Sequence, residues 1–399
     1  MPAATSSLIA VLAPYAGAEV REPDADLFTA LARVPDPRAS RGVRHQLVTV
    51  LAIGVAAVLA GARSWVAIGE WAQDLPVSAR MRLGIGRAAP SESTIRRVLR
   101  DVDPDALDTV LCGWLAARLP PAPSRSTALA TTPALRPVAV DGKTARGART
   151  DDGQTHLLAA FDQASGVVLG QDDVAAKTNE ITGFTPLLDR VGSHLDLARV
   201  LVTADALHTQ RAHAEELHAR GGHYLLIAKA NQPRLHDQLR GLGWAQIPVV
   251  HTERDRGHGR EEIRRLKLAA VRVGRRSGIE FPHAELAIQV QRRRRAIGAT
   301  RWEFETVYAV TDLTWRAARP EVIAAAIRGH WRIENQLHWV RDVTFGEDLS
   351  QIRTANAPRV MAGLRNFAVS RHRLAGATNI ARACRDTARH PNRALALLT

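Results

Sequence analysis

Three carboxylates stand where a hard cation could be held. Asp141 follows the apolar run 137–140 in VAVDGKT, and Asp205 follows the apolar run 198–203 in LVTADALH. Glu334 lies in RGHWRIENQLHWVRDVTFGEDLSQIRT, residues 328–354, which reads as a helix crowded with His, Trp, Arg and acids. A carboxylate just beyond an apolar strand is presented on rigid backbone at a sheet rim. Two such acids on neighbouring strands, with a third from a packed helix, suit Mg²⁺ or Mn²⁺. Two ions about 3.5–4 Å apart can activate an attacking oxygen and stabilise a leaving one, chemistry that fits a phosphodiester. The residues therefore point to an enzyme that cuts nucleic acid.

Neighbours extend the site. Lys143 and Arg146 lie close enough to Asp141 to meet phosphate. On the expected helix His330 is four residues before Glu334, His338 four after and Arg341 seven after, so all lie near one face, as candidate phosphate contacts or groups that orient the ligand. Ile333, Leu337 and Val340 form an adjoining apolar stripe able to pack on the sheet. Trp331 and Trp339 could stack on bases, with core packing as the alternative. Asp342, Glu347 and Asp348 are rivals for the third acid, and Asp162, Asp172 and Asp173 for the first two. HxxxE and ExxxH spacings admit a zinc peptidase, but no clear third ligand follows on that helix.

Composition allows this reading without proving it. The chain has 399 residues, room for two or three domains, and a formal charge of +14. Such a surface attracts polyanions. Lysine occurs only at Lys143, Lys177, Lys229 and Lys267, so the charge is almost all arginine, a bias that a GC-rich coding sequence also produces. The tail 350–399 holds a single acid, Asp386, and reads as a backbone-contacting surface or a solvated helical end. Cys112 and Cys384 are the only cysteines and show no metal-ligand spacing, which fits a reducing cytoplasm. The uncharged stretch 47–62 is too short for a span of about 20 residues. It reads as a buried helix, so no membrane partner is expected.

These residues need a scaffold. Residues 1–118 read as helical, with a basic helix from Ser93, capped by Ser91 or Ser93 and carrying Arg96, Arg97 and Arg100, compatible with reading a groove or contacting backbone. Residues 119–136, rich in Pro, Ala, Ser and Thr, read as a linker. Residues 137–228 read as three strands, helix, strand, helix, strand, with Thr178 or Asn179 opening the first helix. Such an order gives a mixed α/β sheet flanked by helices. Residues 229–315 read as a β-rich insertion, including a charged hairpin around RGHG. A helix is expected from Pro320 past Trp339, and 316–399 holds it together with the basic tail.

The motifs DPRASRGVRHQL, LAGARSWVAIGEWA, PSESTIRRVL, VAVDGKTARG, AKTNEITGF, TADALHTQ, GGHYLLIAKANQP, RGHWRIENQLHWVRDVTFGED and ANAPRVMAGLRN run in order from about residue 36 to 370. With them the chain resembles the DDE-type transposases of bacterial insertion sequences, in the branch related to H-repeat-associated proteins, which carry an N-terminal transposase-associated domain. The resemblance implies a ribonuclease-H-like core whose third acid follows a β-rich insertion. It implies Asp141, Asp205 and Glu334 as catalytic metal ligands for two Mg²⁺ ions, with Mn²⁺ as substitute. Double-stranded DNA, as element ends and target, is the implied partner, with two copies acting together as a homodimer. The broader group places its third acid in a Tyr/Arg/Glu/Lys signature; here those positions read Ile327, His330, Glu334 and Arg341. Arg328, Trp331 and His330 are the candidates to stand in for the missing pair. A metal-dependent endonuclease without strand joining and a catalytically inactive DNA-binding relative are the competing readings.

Overall fold

A computed structural model of the chain describes residues 26–41, 43–122, 134–150, 153–174, 180–271, 278–317 and 319–399. Residues 123–133 of the expected linker, and Thr178 and Asn179, lie outside the described residues.

Antiparallel strands β1 (Arg136–Thr150), β2 (Gly153–Asp162) and β3 (Val168–Val174) begin the sheet. Helix α7 (Phe184–Gly192) crosses to β4 (Val200–Ala204), which pairs parallel with β1; helix α8 (Arg211–Ala219) crosses to β5 (His223–Ala228), parallel with β4. Valine, leucine and alanine dominate β4, and all five of its residues are buried, as a strand covered on both faces requires. The fold is a mixed α/β sheet flanked by helices with a helical N-terminal region, consistent with a ribonuclease-H-like core.

The β-rich insertion is not a separate lobe. After helix α9 (Pro233–Arg240) come β6 (His251–Gly257), β7 (Arg260–Ala270), β8 (Leu286–Ala296) and β9 (Glu303–Thr311), and β9 pairs antiparallel with β5. A single nine-stranded sheet results, in the order β3-β2-β1-β4-β5-β9-β8-β7-β6. Another difference lies at Asp141. The strand expected to stop there continues to Thr150, because the ladder with β2 persists after pairing with β4 has ended at Val140↔Ala204.

The N-terminal region has helices α1 (Leu27–Leu31), α2 (Leu47–Leu59), α3 (Trp65–Gln73), α4 (Val77–Arg82), α5 (Glu92–Asp101) and α6 (Pro104–Ala116). Nearly all of α2 is buried, which explains its uniform apolarity. No helix among the described residues is long and apolar enough to cross a membrane. The Ser91 side chain accepts from Thr94 N–H and caps α5, which decides between the two candidate caps and starts the helix one residue before Ser93. Helix α12 (Ala357–Leu374), followed by α13 (Ile380–Ala388) and α14 (Pro391–Ala396), packs on α2 and α6, and one hydrophobic core joins them to the sheet. A second core lies beneath α10 (Pro320–His330), where Ile323 and Ala326 meet Leu266 and Ile288.

The expected continuous helix is interrupted. Beyond α10 the chain makes a π-helical turn over Glu334–His338 before α11 (Trp339–Val343). A buried charge network holds the far end. Arg341, with no exposed surface, donates from Nε and Nη2 to the two Glu347 oxygens at 2.7 and 2.8 Å, and Arg365 Nη1 donates to Glu347 Oε1 at 3.0 Å. Arg341 Nη1 also faces Asn366 Oδ1 at 3.3 Å, and Asn366 Nδ2 donates to Gln171 Oε1 on β3 at 2.7 Å. Burial pushes the Glu347 carboxyl up, but the two guanidiniums outweigh it and hold the group at about 2.

Removing one partner strands the others in a dry interior, which costs about 3–5 kcal/mol. Glu347→Ala should therefore lower the unfolding free energy by about that much in urea titrations. The Glu347 contribution is complete above its ordinary value of 4.5 and is lost as pH falls from there towards about 2. Glu347→Gln should flatten the acid limb of the stability curve in that window. Stability and pH dependence equal to wild type in both variants would show that the network does not anchor the fold.

Candidate active site

Strand register brings the first two acids together in the backbone. Val140 and Ala204 are the last paired residues of the parallel β1–β4 ladder, so Asp141 and Asp205 are the next residues on adjoining strands, whose spacing is about 4.8 Å. The side chains differ in employment. Asp205 Oδ1 accepts from Leu207 N–H at 2.9 Å and caps the short 3₁₀ turn Ala206–His208. Asp141 turns towards the helix that follows α10. Its Oδ2 lies 3.7 Å from His338 Nδ1, and His338 Nδ1 donates to Glu334 Oε2 at 3.0 Å.

Asp141, Glu334 and His338 each offer a ligand atom, all within 4.8 Å of one another. Once its Nδ1 gives up the proton shared with Glu334, the imidazole would join the two carboxylates in a donor set that a divalent cation accepts, with Mn²⁺ tolerating the nitrogen better than Mg²⁺. The sequence offered His338 as a phosphate contact or as a group that orients the ligand. The structure sets it between the two carboxylates, almost fully buried, in the orienting place. The four-residue spacing to Glu334 was the available signal. Its hydrogen bond, helped by the nearby Lys143 charge, holds the Glu334 carboxyl below its ordinary range despite partial burial. Asp205 is not among the three grouped donors and adjoins them through the strand register.

Other expected contacts are placed differently. His330 is buried, its Nδ1 3.2 Å from Thr203 Oγ1, and burial pulls its pKa down to about 4. A neutral, enclosed imidazole is no phosphate anchor, which corrects that expectation. Thr203 Oγ1 also accepts from Gln163 Nε2 at 2.7 Å, and Gln163 crosses so close to Gly329 that a Cβ there would sit 2.1 Å from its Oε1. Gly329 is thus needed for close approach, and this Gln163–Thr203–His330 chain seats the end of α10 on β4. Nothing in the sequence singled out Gln163 or Thr203. Arg341 is likewise corrected: Glu347 occupies its guanidinium and it has no surface to offer phosphate.

Lys143 is on the same strand face as Asp141, two residues on. Its ammonium donates to Asp342 Oδ2 at 2.7 Å and lies 3.7 Å from Asp348, so it fastens β1 to the segment that carries Glu334. Burial raises the Asp342 carboxyl, and Lys143 works against that. Gly147, further along β1, lies against the 347–350 turn, where a Cβ would meet the Glu347 and Ser350 carbonyl oxygens at 2.7 Å. The rival acids are thus engaged structurally, as is Asp162, bound to Arg136 at 3.0 Å. Arg146 stays 76% exposed, 3.9 Å from Asp348. Trp331 and Trp339 are 66% and 56% exposed, so neither takes the core-packing alternative. On α5, Arg96 pairs with Glu92, Arg97 donates to the Ser93 carbonyl, and Arg100 makes a two-pronged contact with Asp101.

Residues 28–115 match the family described as DDE_Tnp_1-associated, and residues 132–370 match the transposase DDE domain. The chain is 29% identical over 368 residues to "Putative transposase YncI" of Escherichia coli O157:H7, covering 88% of this chain and 86% of that one. It is 27% identical over 368 residues to "H repeat-associated putative transposase YhhI" of Escherichia coli strain K12, covering 84% and 87%. To "Uncharacterized protein in dhlA 3'region" of Xanthobacter autotrophicus it is 33% identical over 260 residues, covering 63% and 82%. With an acid on each of two register-matched strands, a third on the following helical segment and a family match over more than half its length, the chain belongs to the DDE-type insertion-sequence transposases related to the H-repeat-associated proteins.

Proposed function

We propose that the protein cuts DNA at the ends of an insertion element and joins the freed 3′-OH to target DNA. The observation that carries this reading is the close approach of Asp141, Glu334 and His338, from two distant parts of the chain, in a member of the DDE transposase family. Asp141 and Glu334 would hold divalent cation, with Asp205 supplying a third carboxylate from the adjoining strand. Two such ions, Mg²⁺ with Mn²⁺ as substitute, would supply an activated oxygen nucleophile and charge neutralisation at the leaving oxygen.

The chain's own residues supply position. His338 orients Glu334 by its Nδ1 hydrogen bond, while Lys143, through Asp342, keeps the helical segment against β1. Arg146, exposed beyond Lys143, is the phosphate contact on β1. Trp331 and Trp339 offer exposed ring faces beside Glu334 for bases that leave the stack. Arg96, Arg97 and Arg100 on α5 would trade their local partners for DNA backbone or groove edges. One phosphodiester is exchanged for another, so no nucleotide cofactor is required. An element has two ends, so two copies act on one DNA, in the cytoplasm where the element lies.

Mg²⁺-dependent cleavage of the gene's own flanking DNA tests the reading. Asp205→Asn and Glu334→Gln should each lower the cleavage rate by about 100-fold or more, the scale at which loss of a metal-site group is felt. Wild-type rates in either variant would remove that residue from the site. Product analysis separates the competing endonuclease: cut ends that never join target DNA favour hydrolysis alone.

His338→Phe removes the orienting hydrogen bond while keeping a ring in the buried space. The half-saturating Mg²⁺ concentration for cleavage should rise by roughly 10–100-fold. An unchanged metal dependence would reduce His338 to a packing residue.

A further inference from the structure

Side-chain alternation along β6–β9 divides the charge of the sheet extension between its two faces. The registers put Glu253, Arg264, Arg292 and Glu305 in one cross-strand row and Asp255, Glu262, Arg294 and Glu303 in the next. These rows look towards α10, where Arg328 pairs with Glu253 and Asp255. Five acids thus share that face with its arginines, and Glu262 is gripped by both Arg264 and Arg292. The inner face is internally neutralised.

The opposite face is not. There the rows read Arg254–Ile263–Arg293–Phe304 and Arg256–Glu261–Arg295, with Arg265 in the row nearer the core. Five arginines face a single carboxylate, Glu261, which Arg295 takes at 2.7 Å. Arg293 and Arg295 also lie over the Trp302 ring, 4.9 and 4.6 Å from its centroid, and Phe304 is 76% exposed beside them. Four of the five recur along their strands, Arg254 with Arg256 and Arg293 with Arg295, and Glu261 is the one acid among them. Guanidiniums about 6.8 Å apart along a strand and two strand spacings, about 9.6 Å, apart across the sheet can meet a line of phosphates, to which each can donate a forked pair of hydrogen bonds.

We infer that the outer face of the β6–β9 extension is a binding surface for the backbone phosphates of duplex DNA flanking the cut. It rests on the DNA reading above and adds a second place on the protein that grips the duplex. The face looks away from α10, the helix that leads into the Glu334 turn, so the DNA it holds is a different stretch from the one at the acids. The contact is with charge and shape, not base edges, so the surface is indifferent to sequence.

Fluorescence anisotropy with a labelled duplex of arbitrary sequence, titrated with the full chain over a range of salt, tests this. Each phosphate contact contributes about 0.9 to the slope of log affinity against log salt. Arg254→Gln, Arg256→Gln and Arg293→Gln combined should lower that slope by about 2.7, and the same three positions changed to Lys should keep most of it. Arg294→Gln, one charge lost on the inner face, should leave it within experimental error. An equal slope in wild type and the triple Gln variant, or a loss of slope in the Lys variant as large as in the Gln variant, overturns the assignment. Displacement of DNA by polyglutamate at matched charge would also overturn it, in favour of an acidic protein partner. A wild-type protein that neither binds nor cuts DNA would bring down the proposed function; a competent wild type whose salt slope does not depend on the outer face of β6–β9 would bring down this inference alone.

Discussion

A carboxylate contributed almost two hundred residues after Asp141 has to be returned to the same few ångströms, and buried charge is what returns it. Arg341, Glu347 and Arg365 have almost no exposure, and their desolvation is recovered only if every partner arrives in place. That requirement discriminates. An apolar contact can slide by a residue and still bury area; a bidentate guanidinium–carboxylate pair with amide partners on β3 and α12 cannot. The network sits one helical turn beyond Glu334–His338. Lys143 repeats the device one layer nearer the acids, holding Asp342 from β1. Lys143 draws the segment that carries Glu334 on to the strand that carries Asp141, and the buried network fixes the far end of that segment against β3 and α12.

Much of the scaffold was legible because it follows from periodicity. The strand–strand–strand–helix–strand–helix–strand order, the four strands of the insertion, the buried character of α2 and the apolar stripe of Ile333, Leu337 and Val340 all come from spacing and composition. Asp141 and Glu334 were legible as acids in suitable settings, and the structure brings them together. Asp205 was legible as a position: the ladder puts it beside Asp141, but its carboxylate caps a turn in the chain as described.

What escaped the sequence was partnership. Arg341 and His330 were read as phosphate contacts from their place on the helical face of Glu334, yet Arg341 has a buried carboxylate waiting and His330 a buried hydroxyl. The π turn at Glu334–His338 has no periodic signature, because it inserts only one residue's worth of rotation into an otherwise helical run. Such turns often accompany functional sites, and here the turn begins at the candidate ligand Glu334 and ends at His338, which contacts it. The union of the insertion with the core sheet depends on β9 reaching β5, a pairing that neither strand alone discloses.

A formal charge of +14 says little until the charges are placed. In the tail, Arg365 is enclosed with Glu347, Arg359 with Asp172 and Asp105, and Arg371 reaches the Leu397 carbonyl, so part of the apparent basic surface is internal mortar. On α5 the arginines have local partners. In the sheet extension the period of two does what composition cannot: it sends most carboxylates to one face and leaves arginines in excess on the other. Electrostatic attraction to a polyanion follows from that local excess and falls off over about a Debye length, some 8–10 Å at ordinary salt. A surface of a few guanidiniums held on one rigid face therefore directs DNA more effectively than the same charge scattered over the whole molecule.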